Sequence, residues 1–103
     1  MRVQYHDVEI PRAAIACFCQ QHHIRKICLF GSILLDDFGP ESDIDMLVEF
    51  EPGHVPGLLR MAGLELELGR MLGRRVDLRT AAELSRRFRD EVLREAETQY
   101  EAA

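Results

Sequence analysis

Apolar and polar positions fall into short segments of two different periods. Residues 11–23, PRAAIACFCQQHH, place Ala14, Ile15, Phe18 and Cys19 at helical spacing behind Pro11, a residue suited to a first helical turn. Residues 24–31, IRKICLFG, form a short β run ending at Gly31. The next stretch, SILLDDFG, is too short for a long helix and is stopped by Gly39-Pro40. It predicts one or two helical turns capped by Ser32. SDIDMLVEF, residues 42–50, reads as a second strand, closed by Glu51-Pro52-Gly53. Pro56 to Leu72 predicts a long helix that Gly73 ends. Its apolar set, from Leu58 and Leu59 through Leu66 to Leu72, covers more than half the circumference. Such a helix is buried on more than one side or meets a partner or a second copy of the chain. RRVDLRT, residues 74–80, is a third strand. Thr80 then caps a last helical region in which Leu84, Phe88, Val92, Ala96 and Tyr100 recur at i+4. The order α-β-α-β-α-β-α predicts an α/β domain of two-layer α+β type, a small mixed sheet flanked by helices.

Composition narrows the class. A chain of 103 residues buries one modest core, so residues 1–103 are expected to form a single domain. No apolar run reaches the roughly 18 residues of a membrane span, and the first residues lack a signal peptide's apolar segment. The expected location is cytoplasmic. Three cysteines without secretory signals argue against a disulfide framework. Cys17 and Cys19 diverge on a helix, so Cys17, Cys19 and Cys28 are expected to be buried free thiols rather than zinc ligands. His22 and His23 fall at a helix end, where the dipole favours positive charge; His6 and His54 fall in loops, and Tyr100 is expected to pack on the core. The net charge of −5 does not favour nucleic acid. Its distribution is uneven: acids dominate Asp36 to Glu51 with no Lys or Arg between, and arginines dominate the second half. One region suits cations and the other suits phosphates, an acidic partner or solvent.

Two carboxylates stand where a buried strand should be apolar. Asp43 and Asp45 are two apart, so they share one strand face about 7 Å apart at Cα. Ile44, Met46 and Val48 take the opposite face. Two such charges about 5 Å apart repel by about 3 kcal/mol at an effective dielectric near 20. A divalent cation converts that repulsion into coordination, and an oxygen-only set suits Mg²⁺ or Mn²⁺. Asp77 interrupts the third strand in the same way. If that strand neighbours the second, Asp77 lies about 5 Å across the sheet, although an ion pair with Arg74 or Arg79 is the simpler role. Three carboxylates on one face suffice for two metal ions about 3.5–4 Å apart. Gly31-Ser32 adds a strand-to-helix turn where backbone N–H groups and a hydroxyl can meet phosphate. Ser42 stands next to Asp43 and can orient it.

Gly31-Ser32, ten residues, then Asp43-Ile44-Asp45, with Asp77 on a later strand, resembles the minimal nucleotidyltransferases of the DNA polymerase β superfamily. LFGS, SDIDMLVEF, RVDL and the closing RDEVLREA carry the resemblance across nearly the whole chain. It implies a mixed sheet flanked by helices and transfer of a nucleoside monophosphate, AMP from ATP, to an acceptor hydroxyl. It implies that Gly31 and Ser32, with Ser42, bind the nucleotide, and that Asp43, Asp45 and Asp77 are the catalytic, metal-holding acids, with Asp77 helping to activate the acceptor oxygen. Free-standing members of this type are paired with a HEPN-domain toxin, whose tyrosine they adenylylate as antitoxins. The family's usual Arg-Ala-Arg-Gly after Gly-Ser is replaced by Ile33-Leu34-Leu35-Asp36, so Leu35 and Asp36 stand where Arg and Gly are usual. An apolar Ile33-Leu34-Leu35 mouth is expected to be a contact surface. The alternative role is a binding module that neutralises a partner by contact alone.

Overall fold

The computed structural model describes residues 2–102. The chain opens on an antiparallel hairpin, β1 (Arg2–Tyr5) and β2 (Val8–Pro11), where the hydrophobic pattern predicts no strand. Its two strands have four residues each, and the turn carries no glycine. His6 instead takes the left-handed conformation at φ 57°. Val8 and Ile10 alternate inward and are buried.

Helix α1 (Arg12–Gln21) follows and buries Ile15, Phe18 and Cys19 on one stripe, leaving Ala14 outside. Strand β3 (Ile24–Phe30) runs into a 3-10 turn over Gly31–Leu34. That turn begins at Gly31 with no side-chain cap, so Ser32 sits inside the turn rather than capping it. Ile33 is fully buried and joins the core, so the Ile33-Leu34-Leu35 stretch is not an exposed apolar mouth; only Leu35 is exposed. Strand β4 (Ile44–Phe50) puts Ile44, Met46, Val48 and Phe50 in the core, as the period-2 pattern predicts.

Helix α2 (Leu58–Leu72) ends at Gly73, whose φ of 69° is the left-handed stop that glycine accommodates without strain. Leu64, Leu68 and Leu72 are its buried stripe. Its second apolar stripe is solvent-facing: Leu58 is 92% and Leu59 90% exposed, and Leu66 is also exposed. Strand β5 (Val76–Arg79) is followed by a short 3-10 turn that Thr80 and Glu83 close with a capping box.

The C-terminal region corrects the sequence reading. Helix α3 (Arg86–Glu95) stops early, and the tail is a strand, β6 (Glu97–Glu101). None of the α3 residues is buried and Phe88 is 57% exposed, so the helix gains little by continuing. The tail instead satisfies its backbone along the free edge of β3. Gln99 is its buried anchor: it accepts from Arg12 Nε at 2.9 Å and donates to the Tyr5 hydroxyl at 3.2 Å. Tyr100 packs against the core from this strand, as expected.

The main sheet has four strands rather than three, in the order β5-β4-β3-β6. β4 and β5 are parallel, and the β3–β4 and β3–β6 pairs are antiparallel, so the sheet is mixed. One face packs on α1, α2 and the hairpin through Ile27, Leu29, Ile44, Met46, Val76 and Leu78. Each fully buried aliphatic chain of this kind contributes about 1.5–3 kcal/mol. The other face carries Asp43, Asp45 and Asp77. Cys19 and Cys28 are buried thiols, while Cys17 is exposed, contrary to expectation.

Candidate active site

The site is built by strand register. Asp45 of β4 and Asp77 of β5 are direct partners in the parallel ladder, so their side chains share a face one strand spacing apart, about 4.8 Å. Asp43 stands two residues before Asp45, at the entrance to β4, and is exposed. Phe30, the last residue of β3, is the partner of Asp45 on the other side. The Gly31 turn therefore lies directly against Asp45.

That contact explains the glycine. Gly31 has φ 76°, and a Cβ there would collide with Oδ2 of Asp45. A side chain at 31 is thus excluded twice, by backbone conformation and by the carboxylate. The Ser32 backbone N–H donates to Asp45. The turn and the central acid are one interlocked unit.

Burial raises the Asp45 carboxyl above the ordinary carboxylate range, and the neighbouring charges of Asp77 and Asp43 raise it further. Arg79 and the Ser32 N–H act in the opposite direction without cancelling the shift. Arg79, two residues beyond Asp77 on the same strand face, holds that carboxylate with a forked pair: Nε to Oδ1 at 3.0 Å and Nη2 to Oδ2 at 3.3 Å. Of the two ion pairs open to Asp77 in the sequence, the one with Arg79 forms. Arg74 turns elsewhere.

Among the described residues, no three Asp, Glu, His or Cys side chains close around a single point. Asp77 is turned onto Arg79, and Asp43 is exposed. The donor set is still that of an oxygen-preferring divalent cation, with carboxylates only and a central acid destabilised by its like-charged neighbours. In this structure it is Arg79 that holds Asp77.

Gly31, Ser32, Asp43, Asp45 and Asp77 are therefore brought together. Ser42 is engaged within its own loop. Its Oγ accepts the Gly39 N–H at 3.0 Å, which shapes its own loop. Sequence reasoning missed Glu65, which accepts the outward N–H of Leu78 at 2.7 Å and braces the free edge of β5. A Glu on an apolar helix gives no signal of that role. An open cleft of about 580 Å³ flanks the acids on the β5 side, lined by Asp43, Asp77, Glu65, Arg70 and Arg75. A separate, apolar groove of about 350 Å³ lies further along the same sheet face, between Leu47, Cys28 and Leu93.

Residues 12–99 match the nucleotidyltransferase domain family. The chain is 40% identical over 72 residues to the protein adenylyltransferase MntA of Thermococcus cleftensis, covering 70% of this chain and 71% of that protein. A solved structure provisionally described as a minimal nucleotidyltransferase superposes with TM-score 0.68 at 40% identity, over 82% of this chain and 85% of the other. The fold is also that of the MNT antitoxin solved in complex with a tri-AMPylated Shewanella oneidensis HEPN toxin, with TM-score 0.64 at 20% identity over 88% of this chain and 70% of that one. The chain therefore belongs to the nucleotidyltransferase domain family and is a minimal nucleotidyltransferase of the protein-adenylyltransferase kind.

Proposed function

We propose that this protein transfers AMP from ATP to a tyrosine hydroxyl of a HEPN-type toxin and acts as its antitoxin. The observation that carries the reading is the register pairing of Asp45 with Asp77, beside Asp43 and against the Gly31-Ser32 turn. The Shewanella complex, an AMPylated HEPN toxin bound to an MNT antitoxin, supports the choice of donor and partner.

In this reading Asp43, Asp45 and Asp77 hold Mg²⁺, two ions with Mn²⁺ as a substitute. The metal supplies charge neutralisation at the phosphates and acidifies the attacking hydroxyl. Gly31 leaves room for phosphate oxygens to approach the backbone, and Ser32 offers its hydroxyl. Asp77, once released by Arg79, is assigned the acceptor's proton in this reading. In-line displacement puts the attacking oxygen opposite the leaving pyrophosphate. With pyrophosphate at Gly31-Ser32 on the β3 side, the acceptor enters from the β5 side, through the cleft lined by Arg70 and Arg75. ATP is a cytoplasmic substrate, and the protein is proposed to work there. No helix among the described residues is long and apolar enough to cross a membrane.

Leu35, 57% exposed in the place of a family arginine, favours a second reading, neutralisation by contact alone. The exposed Leu58, Leu59 and Leu66 give that reading a surface, for the toxin or for a second copy. The test is transfer of label from ATP labelled at the α-phosphate to the co-purified HEPN protein. Label is expected on tyrosine, falling by about 10²-fold or more in Asp43→Asn and Asp77→Asn while the fold is kept. A stable complex with no label in the wild type would leave the contact reading standing instead.

A further inference from the structure

The nine residues 35–43 between the 3-10 turn and β4 carry Asp36, Asp37, Glu41 and Asp43 and no basic side chain. They have no regular structure of their own, yet they deliver Asp43. What holds them is Arg74, just past the end of α2. Its Nη2 donates to the carbonyl of Gly39 at 2.6 Å and to that of Ser42 at 2.7 Å. The guanidinium carbon lies 4.7 Å over the Phe38 ring, and the side chain is only 15% exposed. Phe38 in turn stacks on His6 of the hairpin turn, with centroids 5.1 Å apart. His6 Nε2 is 3.0 Å from the Ile33 carbonyl; the carbonyl can only accept, so Nε2 donates. Ile33 belongs to the same short turn as Gly31 and Ser32.

We propose that Arg74 is a positioning residue for Asp43, and that Arg74, Phe38 and His6 together fix the acid loop relative to the phosphate turn. The inference rests on the metal-holding reading given above. The Ser42 carbonyl and the Asp43 nitrogen share one rigid peptide plane, so a donor on that carbonyl sets the direction in which Asp43 leaves. A planar guanidinium can serve both carbonyls from one Nη2 while its face stacks on a ring, a combination a lysine ammonium cannot reproduce. The ion pair of Arg74 with Asp7, at 3.6 Å with Asp7 80% exposed, is minor by comparison.

The test is Mn²⁺ binding by calorimetry to the intact chain, without nucleotide, at a temperature where every variant is folded. Arg74→Lys and Arg74→Ala are expected to bind Mn²⁺ about 10- to 100-fold more weakly, the range for lost outer-shell support. Asp7→Asn is expected to bind as the wild type does, and methylguanidinium to restore binding in Arg74→Ala. If Arg74→Ala does not fold, Arg74→Lys decides. Wild-type affinity in folded Arg74→Lys would overturn the proposal. Amide hydrogen exchange across residues 36–43 is read alongside. If the wild type itself binds no Mn²⁺, the metal reading fails separately, and the positioning role is judged on exchange. Faster exchange confined to that loop in Arg74→Lys supports it, and unchanged exchange overturns it.

Discussion

Asp45 is the most constrained residue of the acid face. Burial and two neighbouring carboxylates raise its pKa, so the folded state holds its proton more tightly than the unfolded chain does. The sign follows by linkage. Between the ordinary carboxylate value and the raised one, the folded state binds more protons, so this group's contribution to stability falls as pH rises through that window. In metal-free protein, Asp45→Asn is therefore expected to melt higher than wild type at neutral pH, with the difference closing below about pH 4. Melts across pH 4 to 8 check this; a lower neutral midpoint for Asp45→Asn would mean that the Ser32 and Arg79 contacts outweigh the repulsion. This much was legible in the sequence, because two acids at i and i+2 in an apolar strand signal a shared face whatever the tertiary context. Arg79 at i+2 from Asp77 followed the same rule and was readable as a possible ion pair. Arg74 was not. Its partners are the Gly39 and Ser42 carbonyls, and backbone acceptors leave no mark in a sequence.

At the scale of elements, periodicity identified what is buried and failed where burial is slight. α1, β3, β4, α2 and β5 all bury an apolar stripe, and all were readable with small shifts at their ends. The hairpin β1–β2 is two four-residue strands with a glycine-free turn, too short for period 2 to stand out. The tail misled for a different reason. Leu84, Phe88, Val92, Ala96 and Tyr100 keep an i+4 spacing, but the first four never reach the core. The open edge of β3 offers backbone hydrogen bonds that the helix cannot match. Gln99→Leu is therefore expected to cost about 1–3 kcal/mol, since it leaves the Arg12 donor unpaired beside a buried position. Phe88→Ala is expected to stay within about 0.5 kcal/mol. Urea unfolding measures both; a large loss at Phe88 with none at Gln99 would restore the helical tail.

At the scale of the molecule, the sheet separates two tasks. One face carries the core; the other collects the negative charge that a net −5 chain concentrates before β5. Three arginines of the second half are committed to structure: Arg74 to the acid loop, Arg79 to Asp77, and Arg89 to the Ala81 and Leu84 carbonyls. Arg70 and Arg75 remain beside the cleft. The acid face and the Gly31 turn are proposed to form one working donor site despite Leu35 and Asp36. The measurement that tests it most directly is thermal melting with Mg²⁺ and each of the four common nucleoside triphosphates, with Asp43→Asn/Asp45→Asn as control. A ligand at about 100 times its dissociation constant adds roughly 2.7 kcal/mol, which moves the midpoint of a domain this size by about 4–8 °C per kcal/mol. A Mg²⁺-dependent rise with ATP that the double variant loses is expected. No rise with any nucleotide, or an equal rise in the double variant, would contradict it.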